Sequence, residues 1–212
     1  MALLTDENKK QLREFFKGLE RDTYVILFNR HDAPAGEDTA ALLSEMAELS
    51  DKLHVEVKDL DADAELAKAY NVKLAPGYVL LNDKREFTRI RFNGVPLGHE
   101  INSFLSALIE VGGKSQPMPP DMLERVKKID KPVDIKVFVT LSCPHCPGAV
   151  QKAHALALAN PNIQAEMVEA QSFPEMSQEF GVGAVPHTVF NGSETIIGNY
   201  PFEDFIQKAE SA

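Results

Sequence analysis

The sequence predicts an α/β protein made of two copies of one β-α-β-α-β-β-α unit, each opened by a further helix. Two observations carry that expectation. Apolar runs of strand length alternate with segments of helical period, and sliding the chain over itself by 110 residues superposes the two series. The slide puts Ala33-Pro34-Ala35-Gly36 on Cys143-Pro144-His145-Cys146 and Ala75-Pro76 on Val185-Pro186, since 143 − 33 and 186 − 76 both equal 110. Glu65, Val72 and Pro76 then fall on Glu175, Val182 and Pro186, and Tyr70 meets Phe180.

In the first copy, ENKKQLREFFKGL reads as the opening helix, YVILFNRHDAPAG as a strand and loop, and EDTAALLSEMAEL as a helix. ELAKAYNVKLAPGYVLLND gives a short helix, an Ala-Pro step and a strand that pairs with EFTRIRFNG, and INSFLSALIEV closes the copy. The second copy runs in the same order. DMLERVKKID is the opening helix, KVFVTLSCPHC a strand ending in a turn, and PGAVQKAHALALA a helix. EMSQEFGVGAVPHTVFNG follows, then the turn Asn191-Gly192 and the strand ETIIGN, a hairpin signal, and finally the helix PFEDFIQKAE. GGKSQPMPP (112–120), with three prolines and two glycines, has the composition of a boundary, so the units are expected at 1–114 and 115–212.

Composition limits the function classes. Of the 212 residues 44% are hydrophobic and 25% charged, enough to bury a core. A net charge of −10 argues against nucleic acid, whose phosphates draw on clustered Lys and Arg. No apolar run approaches the ~18 residues of a membrane helix, and MALLTDENKKQL turns charged too soon for a signal peptide. The expected location is the cytoplasm, where a permanent structural disulfide is disfavoured and a lone C-x-x-C reads as a working thiol pair or a metal site.

The only cysteines, Cys143 and Cys146, sit where a strand delivers the chain to a helix start. A free thiol with pKa ~8.5 is mostly protonated at neutral pH, whereas helix N-termini and C-x-x-C motifs lower the value to roughly 3.5–7. Cys143 is therefore read as the attacking thiolate and Cys146 as the resolving thiol. Pro144 fixes φ and supplies no donor; His145, when protonated, adds positive charge beside the sulfur and makes the pair more oxidising; Pro147 suits a first helical turn. Two alternatives stay open at this point, a buried inert pair and a metal or shared-cluster ligand, although no second C-x-x-C or H-x-x-x-H completes a zinc set.

The pairing of a C-x-x-C with an x-Pro step some forty residues later, ahead of a hairpin, resembles the thioredoxin and glutaredoxin fold. Over nearly the whole chain the stretches VPLGHEINSFLSALIEVGG, TLSCPHCPGAVQ and GVGAVPHTVFNG are similar to the two-unit protein disulfide oxidoreductases, also called glutaredoxin-like proteins. They are more similar still to the N-terminal domain of the alkyl hydroperoxide reductase flavoprotein, in which the first unit has lost its cysteines. The resemblance implies two tandem thioredoxin-like (glutaredoxin-like) units with mixed central sheets joined into one continuous sheet, and cis bonds before Pro186 and Pro76. Pro186 would lie against the sulfurs, with the backbone at Val185 free to pair with a substrate chain. It also implies that Glu100, in the G-H-E stretch, serves Cys146 as a base, because Val137 stands where thioredoxins carry a buried acid. If so, burial raises the Glu100 pKa toward neutrality; the plain alternative is an N-cap or first-turn acid favoured by the helix dipole alone.

The function so implied is a thiol-disulfide oxidoreductase that relays electrons from an NADPH-linked flavoprotein of the thioredoxin reductase type to protein disulfides, a peroxiredoxin among them. No bound cofactor is expected, since no G-x-G-x-x-G occurs and the flavin belongs to the partner. A protein-binding, holdase or isomerase module with secondary thiols is the other class considered. His99 and His187 are read as surface or supporting residues. DLDADAE (59–65) reads as a solvated turn, not a calcium loop, and Phe15, Phe16, Phe28, Phe104, Phe138 and Phe190 as packing.

Overall fold

In the computed structural model residues 3–114 and 118–212 are described; the expected boundary between 114 and 115, and the middle of the 112–120 stretch, fall at or within residues 115–117, outside the described residues. The first copy comprises α1 (Asp6–Phe16), β1 (Thr23–Asn29), α2 (Gly36–Ala47), β2 (Leu53–Asp59), α3 (Ala64–Ala69), β3 (Gly77–Leu81), β4 (Phe87–Asn93) and α4 (Ile101–Val111), with a 3-10 turn at Gly98–Glu100. The second comprises α5 (Pro120–Lys127), β5 (Val133–Val139), α6 (Cys146–Ala159), β6 (Ile163–Glu169), α7 (Pro174–Glu179), β7 (His187–Phe190), β8 (Glu194–Ile197) and α8 (Phe202–Ser211).

The chain separates into two compact units. One takes the residues up to Val95 and those from Ala107; the other takes Pro96–Ser106 with the C-terminal half. The sequence pattern alone puts residues 96–106 with the first copy. They cluster instead with the second, because the 3-10 turn packs on α6 and on the loop before it. This reassignment brings Glu100 into the unit that holds the cysteines.

Each unit contains a four-stranded mixed sheet. In the first, β1 runs parallel to β2 and antiparallel to β3, and β3 pairs antiparallel with β4. In the second, β5 runs parallel to β6 and antiparallel to β7, which pairs with β8. The central strands are buried on both faces. Val25, Ile26, Leu27 and Phe28 in β1, and Ile135, Val137, Phe138 and Val139 in β5, are at most 2% exposed. Such strands read as continuous apolar runs with helices on either side. On α6, Ala149, Val150, Ala153, Leu156 and Ala157 form one fully buried stripe against β5 and β6. Lys136 interrupts β5 at little cost because its ammonium meets Asp134 and, at 2.8 Å, Glu166.

Thr5 caps α1 by accepting the Asn8 N–H at 3.1 Å, and Leu12 and Phe16 turn inward. Phe15 corrects the packing expectation: it is 39% exposed, because α1 buries one face and a residue adjacent to Phe16 points about 100° away from it. The other five phenylalanines read as packing are buried. In DLDADAE, Asp59 Oδ1 accepts the N–H groups of Asp61 and Ala62, closing a turn on the surface.

The 110-residue register holds element by element up to the hairpins, where β1, α2, β2, α3 and β3 begin 110 residues before β5, α6, β6, α7 and β7. Gly77 then pairs with Asn93 and His187 with Ile197, so at the end of the hairpin the offset is 104. The second hairpin is six residues shorter. Asn191 and Gly192, both at positive φ, turn it.

Candidate active site

β5 ends at Val139 and hands the chain to a tight turn in which the Cys143 N–H donates to Thr140 O at 3.1 Å. α6 begins at Cys146, with Pro147 in its first turn, where a missing N–H costs nothing. The two cysteines are joined as a disulfide with their Cα atoms 5.5 Å apart. Cys143 keeps 8% of its surface and Cys146 none, so only the first sulfur faces an incoming group. Pro144 and His145, between them, are exposed.

Two segments close on this turn. One follows β8: the Gly198 N–H donates to Pro186 O at 2.8 Å, Asn199 lies against Gly148, and Lys152 Nζ holds the Asn199 side-chain carbonyl. A Cβ at position 148 would sit 2.4 Å from Asn199 Nδ2, so a larger residue there would displace the Asn199 side chain. The Val185–Pro186 bond is cis, as is Ala75–Pro76 in the first copy. The other segment is the 3-10 turn. Gly98, at φ +57°, comes so close that an added Cβ would stand 2.2 Å from Leu141 O, which also accepts the His99 N–H at 2.9 Å. Gly98→Ala is therefore expected to destabilise the protein by about 1–3 kcal/mol, read as a lower urea midpoint, with both strain and clash contributing.

This anchoring holds Glu100 in a dry position. Its side chain is fully buried, Oε2 accepts the Ser103 hydroxyl at 2.6 Å, and Oε1 has no hydrogen-bond partner among the described residues. Burial raises the carboxyl pKa to about 7, and the Ser103 hydrogen bond pulls the other way. Glu100 is thus a buried acid in the turn that opens the helix. Ser103→Ala should move its titration midpoint further upward and Ser103→Thr should leave it in place, as followed by the infrared carbonyl band of the protonated acid.

The histidines divide. His99 is exposed, whereas His187, read as a surface or supporting residue, is buried. In register with Phe138, it lies edge-on to that ring at 6.3 Å, and burial lowers its pKa. The first copy keeps the loop without the thiols: Ala35, at φ +57°, occupies the position of His145, and Gly36 packs on the Asn29 side chain. Sequence reasoning missed Ser103, Gly98 and Asn199. The i, i+3 spacing of Glu100 and Ser103 was the available signal.

Strand, C-x-x-C disulfide, helix and a cis-proline ahead of a hairpin define a thiol-disulfide oxidoreductase of the thioredoxin-like class. Residues 133–210 match the thioredoxin domain family. The chain is similar to the alkyl hydroperoxide reductase component AhpF of Staphylococcus epidermidis, with 30% identity over 209 residues, 99% of this chain and 38% of that protein. It is also similar to a Bacillus subtilis protein described as an NADH dehydrogenase, 27% identical over 99% of this chain and 38% of that one. It thus spans well under half the length of these relatives. Among solved structures, the NTD_N/C domain of AhpF from Enterococcus faecalis superposes with a TM-score of 0.90 at 28% identity, covering 96% of this chain and 98% of that one. A protein disulfide oxidoreductase from Aeropyrum pernix gives 0.89 at 26% identity, covering 98% and 92%.

Proposed function

We propose that the Cys143/Cys146 pair relays electrons from an NADPH-linked flavoprotein of the thioredoxin reductase type to protein disulfides, including that of a peroxiredoxin, in the cytoplasm. The observation that carries this reading is the graded burial of the two sulfurs at the start of α6, the helix on which the 3-10 turn carrying Glu100 packs. In the reduced protein the Cys143 thiolate attacks one sulfur of the partner's disulfide, forming a mixed disulfide and releasing the first partner thiolate. Glu100, as carboxylate, takes the proton from Cys146; the new thiolate attacks the Cys143 sulfur, closing the intramolecular disulfide and expelling the second partner thiolate. Two electrons pass to the partner, and the flavoprotein returns two to the Cys143–Cys146 disulfide. Val185 and Pro186 supply the backbone beside the sulfurs where the partner chain lies. The likeness to AhpF supports flavoprotein and peroxiredoxin partners of this type.

The test combines the purified chain with NADPH, a thioredoxin-reductase-type flavoprotein and an oxidised peroxiredoxin. Peroxide-dependent NADPH consumption that requires the chain is expected. No consumption, together with no reduction of insulin disulfides by the pre-reduced chain, removes the assignment.

A further inference from the structure

At the ends of the hairpins corresponding positions of the two copies differ by 104, and the Gly94 N–H to Pro76 O bond at 2.9 Å repeats as Gly198 to Pro186 at 2.8 Å. In the first copy this margin is covered, with Asn93 2% exposed and Pro96 buried. Their counterparts are Ile197 and Tyr200. Here the face is open: Ile197 is 54% exposed and Tyr200, three residues on, 53%. Both side chains line one groove, and a contiguous exposed apolar patch marks a surface that meets another chain.

β8 closes the sheet of its unit; ETII carries neither proline nor bulge, and its one charge, Glu194, is held by Lys208. β2, by contrast, sets His54, Glu56 and Lys58 along its length, with Arg85 on Glu56. Between β8 and α8 lies a groove of about 410 Å³ lined by Thr195, Ile196, Ile197, Tyr200, Asp204 and Lys208. One acid and one base leave no net sign, so recognition there rests on main-chain hydrogen bonds and apolar contact. The strip also adjoins the redox site. It continues into Gly198 and Asn199, which hold Pro186 and the first turns of α6.

We propose that β8 and the Ile197–Tyr200 patch form a docking strip on which an extended apolar segment of the disulfide-bearing partner adds as a further strand while its disulfide meets Cys143. This rests on the relay function above. A four-residue edge suits a short segment held transiently; a stable dimer needs about 800 Å² from each chain, more than such an edge offers.

The experiment uses Ile197→Asp and Tyr200→Ser, both at exposed positions, with folding checked by circular dichroism. Single-turnover reduction of insulin and of the small aromatic disulfide DTNB is measured with each pre-reduced protein. The expected result is a roughly tenfold or larger loss of rate on insulin with the DTNB rate unchanged. An unchanged insulin rate overturns the proposal, and so does an equal loss on both substrates, which would place the effect at the redox turn itself. A wild-type dimer by sedimentation that Ile197→Asp dissociates without altering the insulin rate also overturns it, since the face would then serve self-association. Wild-type protein that reduces neither disulfide would remove the underlying function instead.

Discussion

Cys143→Ser is expected to abolish disulfide reduction, with a loss of at least ~10³ in rate, because no other thiol in the molecule can begin the exchange. Cys146→Ser should behave differently. Cys143 would still attack, but with the resolving sulfur gone the mixed disulfide cannot be discharged, and a covalent adduct with the partner should accumulate on a non-reducing gel. The asymmetry follows from burial, since Cys143 has a face to solvent and Cys146 has none. In the reduced wild type, iodoacetamide should modify one residue, Cys143, at neutral pH and reach Cys146 only after unfolding, as peptide mass spectrometry would report. The rate against pH should show a midpoint below the ~8.5 of a free thiol, because unpaired N–H groups in the first turn of α6 favour the anion. A Cys143 that resists alkylation, or titrates as an ordinary thiol, would remove the basis for its assignment as nucleophile.

Much of this was legible in the sequence, for identifiable reasons. The repeat could be read because strand starts and x-Pro steps are fixed by backbone geometry that both copies share, and the offset of 110 holds from β1 to β3. The six-residue change came where sequence constrains least, in the hairpin turns, although Asn191-Gly192 announced the shorter one. Side-chain direction was harder. Phe15 and Phe16 are equally apolar, and only the placement of α1 decides which is covered. His187 follows Pro186 into a strand, and register with Phe138 sends it inward rather than to the surface. Glu100 illustrates the remaining gap. Its helix was evident, but its burial depends on Gly98 accepting a left-handed conformation against Leu141, a contact across 43 positions that no local pattern encodes.

Glu100→Gln is the second large expected effect. An acid with a pKa of about 7 is half ionised at neutral pH, suited both to accept the Cys146 proton and to return it. Removing it should slow closure of the intramolecular disulfide by ~10²-fold or more while leaving the first attack by Cys143 unchanged, a split that rapid-mixing kinetics with a fluorescent disulfide can resolve. The limb of the resolving rate near pH 7 should disappear. Stability should move in the opposite direction. The folded protein holds the Glu100 proton more tightly than the unfolded chain, about 7 against 4.5, so the stability this group lends is complete below pH 4.5 and is lost as pH rises through about 7. Above that, the ionised carboxylate in its dry position costs on the order of 3 kcal/mol, which glutamine avoids. Glu100→Gln should therefore be more stable than the parent at pH 8 and gain nothing at pH 4, by urea unfolding at the two values. Glu110, which burial also raises to about 7, gives the variant a residual slope of the same sign, and Glu110→Gln would remove that part. An unchanged resolving rate together with the predicted gain in stability would show Glu100 buried as described but idle in the exchange.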